Sequence, residues 1–152
     1  MVAINSKRVW LGTLVGGIVF FVWSMAVEFG LSAVLVGKAR MDIAVANGWF
    51  LTAPRLPIPV FFVVWVVSLF LIAFALSWLY AGIRASRGAG PATAAELGLA
   101  VGFAAGFPLE FAHALFQPLS ARYAIMWMIE MGLGCVITAL VVGWTYKDAP
   151  TA

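Results

Sequence analysis

Four long apolar runs, separated by shorter segments rich in Gly, Pro and basic residues, dominate the chain. They predict helices over about 9–36, 60–80, 94–117 and 123–146. Each meets the roughly 20 residues that a helix needs to cross a bilayer. The first run is broken by a single charge, Glu28, and the second is apolar apart from Ser68 and Ser77. Lys7-Arg8 ahead of the first run resembles the start of a signal peptide. The apolar stretch that follows is far longer than the about 7–15 residues of such a segment, so a retained helix is predicted.

The breaks are as informative as the runs. Residues 38–57 hold Asn47-Gly48, Trp49 and Pro54-Arg55-Leu56-Pro57, a proline density that forbids a regular helix. Residues 82–91, GIRASRGAGP, read as a short basic turn. Pro118 ends the third run, and Pro108 inside it is expected to kink the helix below Glu110. The fold class is therefore all-α: a four-helix transmembrane bundle making one integral membrane domain over residues 1–152. With four spans, both termini lie on one side.

Two features are consistent with a duplicated two-helix hairpin. Glu28-Phe29-Gly30 and Glu110-Phe111-Ala112 are each followed, twelve residues after the glutamate, by an arginine, Arg40 and Arg122. At a shifted offset, Trp65-Val66-Val67-Ser68 matches Trp127-Met128-Ile129-Glu130. The reading is a parallel repeat about an axis along the membrane normal. Chance matches are easy in so apolar a sequence.

Composition agrees: the chain is 64% hydrophobic and 10% charged, against about 25% charged in soluble domains. Lipid is the solvent for most of it. Bases near the termini and in 82–91 are Lys7, Arg8, Arg84, Arg87 and Lys147, against Lys38, Arg40, Arg55 and Arg122 opposite. That balance favours cytoplasmic termini in a cell (inner or plasma) membrane. Trp10, Trp49, Trp78 and Trp144 lie near the predicted interfaces as belt anchors. The single Cys135 cannot form an intramolecular disulfide and reads as a buried thiol. Nothing resembles a Ser-His-Asp set, a phosphate loop, a CxxC pair or a nucleic-acid patch, and whether the chain is an enzyme stays open.

Charge location changes the picture. All nine bases lie outside the runs, whereas Glu28, Glu110 and Glu130 fall deep within them. By helix rise, Glu28 lies roughly 15 Å from the first loop, Glu110 and Glu130 about 12 Å from the 118–122 turn, and His113 roughly 8 Å from it. Three helices thus bring ionisable groups to one layer. Such groups are costly in lipid unless they face the bundle interior and are partnered. Lacking a base, the carboxyls can stay protonated, share and relay protons, or bind a cation.

Carboxylates with one imidazole suit Fe, Mn or Zn. Glu110-Phe111-Ala112-His113 is a Glu-x-x-His pair on one helix face, as in di-iron carboxylate bundles, with Glu28 and Glu130 as single glutamates. A second Glu-x-x-His is missing, because Leu31 stands where the repeat would put its histidine. The metal reading is therefore one divalent ion (Fe, Mn or Zn) at Glu28, Glu110, His113 and Glu130. A proton-coupled small-solute transporter or channel would use the same glutamates. A structural or partner-binding subunit is the third reading, and a homo-oligomer is compatible with all three. Trp23, Trp65, Ser68, Gly106, Gln117 and Trp127 are candidates for the cavity wall. Gly98, Gly102 and Gly106, four residues apart, form a small-residue stripe suited to close helix packing, and the stripe runs on into Glu110. Met25, Met126, Met128 and Met131 surround the glutamates as packing.

Overall fold

The structure, a computed structural model, describes residues 4–36, 57–116 and 121–146. Trp49, Gln117 and the bases Lys38, Arg40, Arg55 and Lys147 lie outside the described residues. Four helices long and apolar enough to cross a membrane are present: α1 (Ser6–Leu35), α2 (Ile58–Arg87), α3 (Pro91–Phe116) and α4 (Ala121–Thr145). Their most apolar 18-residue windows have mean hydropathies of 2.0, 2.7, 1.4 and 2.1. At most 39% of any such window is buried within the protein. Trp10, Val22, Leu71, Phe103 and Trp144 are among the large side chains turned outward, 60–74% exposed. Helices apolar on every side belong in a membrane.

Local chemistry sets the helix ends. Asn5 caps α1 by accepting from the Arg8 amide at 3.3 Å. Pro59 sits within the first turn of α2 and Pro91 opens α3, where a missing amide proton costs no hydrogen bond. The basic turn expected at 82–91 is mostly helix: α2 continues to Arg87, and only Gly88–Gly90 separate it from α3. Arg84 and Arg87 suit the negative end of the helix dipole. Gly88, at φ 87°, closes it with its amide bonded to Arg84 O at 3.0 Å. Pro108 lies within a continuous α3.

α1 contains a feature that apolar periodicity does not announce, a π-helical turn over Val27–Leu31 that includes Glu28. Val27 and Val36 are both buried, although nine residues apart. The π turn inserts one residue into the helix, so the nine-residue spacing falls where eight would in an α-helix, on the same stripe, and α1 stays against the bundle. Ser32 Oγ donates to the carbonyl of Glu28 within it.

The helices form a ring in chain order, with α2 also reaching α4 across the middle, and α1 and α3 not touching among the described residues. α3 and α4 share the most extensive interface, and α2 and α3 the least among neighbours in the ring. The α3–α4 seam is tight: a Cβ on Gly98 would lie 2.6 Å from Val136 Cα, and one on Gly102 2.9 Å from Gly132 O. On Gly106 it would lie 2.9 Å from Met131 Cβ. Without side chains at these points the two backbones come close enough for dispersion to hold them.

The main apolar core, including Phe20, Leu76, Tyr80, Cys135 and Val142, packs one part of the bundle. There Asn5 N–H donates to Tyr146 Oη at 3.0 Å, bringing the start of α1 beside the end of α4. A smaller cluster of Val27, Val36, Tyr123 and Met126 closes the opposite end.

Candidate functional site

Between α2 and α3, whose contact is sparse, lies a cavity of about 740 Å³. The first half of α2 explains it. Ile58, Phe61, Val63, Val64 and Val67 are 50–71% exposed, and burial on this helix begins only at Leu69. The apolar wall comes from side chains such as Phe29, Phe61, Phe62, Trp65, Leu109 and Trp127. Phe62 and Trp65 rings stand 5.7 Å apart, and both pack on Phe21, at 6.1 and 5.9 Å.

Every candidate ionisable group faces this one space: Glu28 from α1, Glu110 and His113 from α3, and Glu130 from α4. Glu130 is 7% exposed, with Ser24 Oγ donating to its Oε1. The Trp23 indole donates to the backbone carbonyl of Glu130 at 2.9 Å. Trp127 Nε1 donates to Glu28 Oε1 at 3.1 Å. His113 Nδ1 is 3.1 Å from Glu110 Oε2, the i,i+3 spacing of a helix face, and its ring lies edge-on to Trp127 at 6.5 Å.

Among the described residues, the cavity lining includes no lysine or arginine. Arg122, at the start of α4, donates to the Leu35 carbonyl at 3.3 Å. The three carboxyls are thus partnered by hydroxyl, indole and imidazole groups.

Comparison with protein-family models, curated proteins and solved structures finds no match to this chain. The site has to be read from its own chemistry.

Of the proposed wall residues, Trp65, Ser68, Gly106 and Trp127 line the cavity. Trp23 does not: its indole turns to the Glu130 carbonyl, so it braces α4 from behind. Gln117 lies outside the described residues. Met25 and Met131 reach the cavity, whereas Met126 is buried in the smaller cluster and Met128 lies in a groove between α3 and α4. Sequence reasoning missed Ser24, the donor to Glu130. Its signal was there, four residues before Glu28 and hence on the same helix face. Phe61 and Phe62 were also missed. Nothing in an unbroken apolar run separates side chains facing a cavity from those facing lipid.

Among the described residues, no three His, Cys, Asp or Glu side chains are gathered as a ready metal-ligand set. Ser24 and Trp127 engage one oxygen each of Glu130 and Glu28, as outer-shell hydrogen bonds to metal-ligating carboxylates do.

Proposed function

We propose that the chain is an integral membrane protein that takes up a cation in this cavity and couples it to protons held by Glu28 and Glu130. The observation that carries the reading is that Glu28, Glu110 and Glu130, from three helices, face one cavity with no base among its described lining residues. Carboxyls gathered in this way hold protons until a competing cation displaces them. Glu110 and His113 supply an acid–imidazole pair in the same space, which can pass a proton on. The functional class is proton-coupled movement of a small solute, in a cell (inner or plasma) membrane with the termini on the cytoplasmic side. A homo-oligomer is compatible with this arrangement.

Flux of protons into liposomes containing the purified chain, followed with an internal pH dye, tests this. Glu130→Gln should abolish pH-driven flux while the protein still folds. Equal flux in wild type and Glu130→Gln would refute the coupling. The Glu110–His113 pair at 3.1 Å favours one second reading, a single Fe, Mn or Zn ion anchored there. Elemental analysis of the purified protein decides it: stoichiometric metal in wild type, lost in Glu110→Ala, would establish a metal site. Metal-free protein without flux would leave a structural or partner-binding subunit.

A further inference from the structure

From the shape and wall of the cavity we infer that its ligand is a monovalent organic cation with an apolar body, an ammonium carried on hydrocarbon or aromatic groups. The inference rests on the cation site proposed above and adds what the cation is.

Size is the first argument. A cavity of about 740 Å³ is far larger than a proton relay or a single metal ion requires. It falls within the about 300–1,000 Å³ of small-molecule sites. The wall is the second. Phe29, Phe61, Phe62, Trp65 and Trp127 surround the carboxyls, and aromatic faces attract cations, most strongly where water is excluded. Charge is the third. Three carboxyls with no base among the described lining residues would repel an anion, and a neutral apolar ligand would leave them without a counter-charge.

Access is the fourth. The cavity lies where α2 and α3 touch least, beside the outward-facing first half of α2. Both helices present apolar surfaces there, so a ligand soluble in the bilayer can reach the carboxyls without crossing a polar vestibule. An ammonium with an apolar body carries its own apolar coat.

Calorimetric titration of the full chain in detergent tests this with a matched pair of probes. Benzyltrimethylammonium and neopentylbenzene have the same shape and differ only in charge. The cation should bind about tenfold more tightly or better, the range that a desolvated cation–π contact with a carboxylate partner supports. Glu28→Gln/Glu130→Gln should remove that preference and leave neopentylbenzene binding unchanged. If the double variant does not fold, Phe61→Leu serves instead. Its side chain is 54% exposed at the cavity margin, so the substitution spares the core and should lower the preference for the cation several-fold. Equal binding of the two probes, or a preference that survives the glutamate substitutions, overturns the inference. Proton flux in liposomes separates the two readings. Flux without charge preference sinks the ligand class alone, whereas absence of both flux and cation binding sinks the proposed function with it.

Discussion

Replacing Gly98 by alanine should weaken the bundle, although alanine is the better helix former. The intrinsic gain is about 0.8–1 kcal/mol in a helix interior. Against it stands the α3–α4 seam: the new Cβ would lie 2.6 Å from Val136 Cα, 2.8 Å from Cys135 O and 3.0 Å from Ala139 Cβ. Two of these are backbone atoms, which cannot rotate away as a flexible side chain could. Relief requires α3 and α4 to separate by roughly 1 Å, which forfeits a quarter to a half of each dispersion contact across the seam. At about 0.1–0.2 kcal/mol per atom pair, a few tens of pairs lose about 1–3 kcal/mol, the usual cost of overpacking. The net expectation is destabilisation by about 0–2 kcal/mol.

Gly82 provides the control, since it lies inside α2 and nothing stands within 4 Å of a Cβ there. Gly82→Ala should stabilise by about 0.5–1 kcal/mol through the helix term alone. Thermal unfolding in detergent, read by the fluorescence of the seven tryptophans, gives both values. At about 2–4 °C per kcal/mol the two variants should shift in opposite directions. A Gly98→Ala protein as stable as Gly82→Ala would refute the close approach of α3 and α4.

Buried hydroxyls give a second contrast. Thr138 Oγ1 is buried without a hydrogen-bond partner among the described residues, so Thr138→Val should be neutral or stabilise by up to about 1 kcal/mol. Ser24→Ala instead strips Glu130 of its donor and should cost about 1–3 kcal/mol in the same unfolding assay. Arg84 lies 4.6 Å from the Tyr146 ring centre and donates to Tyr146 O at 3.3 Å. Arg84→Met should therefore lower stability by about 0.5–2 kcal/mol. The Arg87–Glu96 pair, at 2.9 Å, has side chains 67% and 62% exposed, so Glu96→Gln should change stability by less than about 1 kcal/mol.

The four helices were legible because uninterrupted apolar runs of such length form membrane spans and little else. Their ends were less so. Gly82, Arg84 and Arg87 look like loop residues by composition, yet a helix end tolerates an exposed glycine and favours basic side chains, so α2 runs through them. The shared level of Glu28, Glu110 and Glu130 followed from rise per residue alone. Their facing one cavity did not, because it depends on which side of each helix meets its neighbours. With every face apolar, periodicity carries almost no signal about that orientation. The π turn at Val27–Leu31 was hidden for the same reason. Trp23 illustrates the limit: its depth beside the glutamates was right for a wall residue, but its indole turns to the Glu130 backbone.

The α1–α4 interface shows why the site faces one end of the bundle and not the other. Going along it, Glu28 meets Trp127, and one turn further Ser24 meets Glu130. The next turn brings Phe20, 0% exposed, against Gly134. Only glycine can stand there, because a Cβ at Gly134 would run into the Phe20 ring and come within 2.8 Å of Trp23 Cδ1. Beyond Phe20 the seam narrows again, with Gly16 against Thr138 and Val142, and Gly12 against Ser77 and Thr145. Ser77 and Thr138 carry the two buried hydroxyls without partners among the described residues. The polar groups of the bundle interior are therefore split into two sets, the glutamates on one side of a phenylalanine and the hydroxyls on the other. From Glu130, a close-packed aromatic ring lies toward the terminal side and the cavity toward α2. Movement across the whole membrane along this seam would need Phe20 to leave Gly134, whereas exchange with the cavity needs no such step.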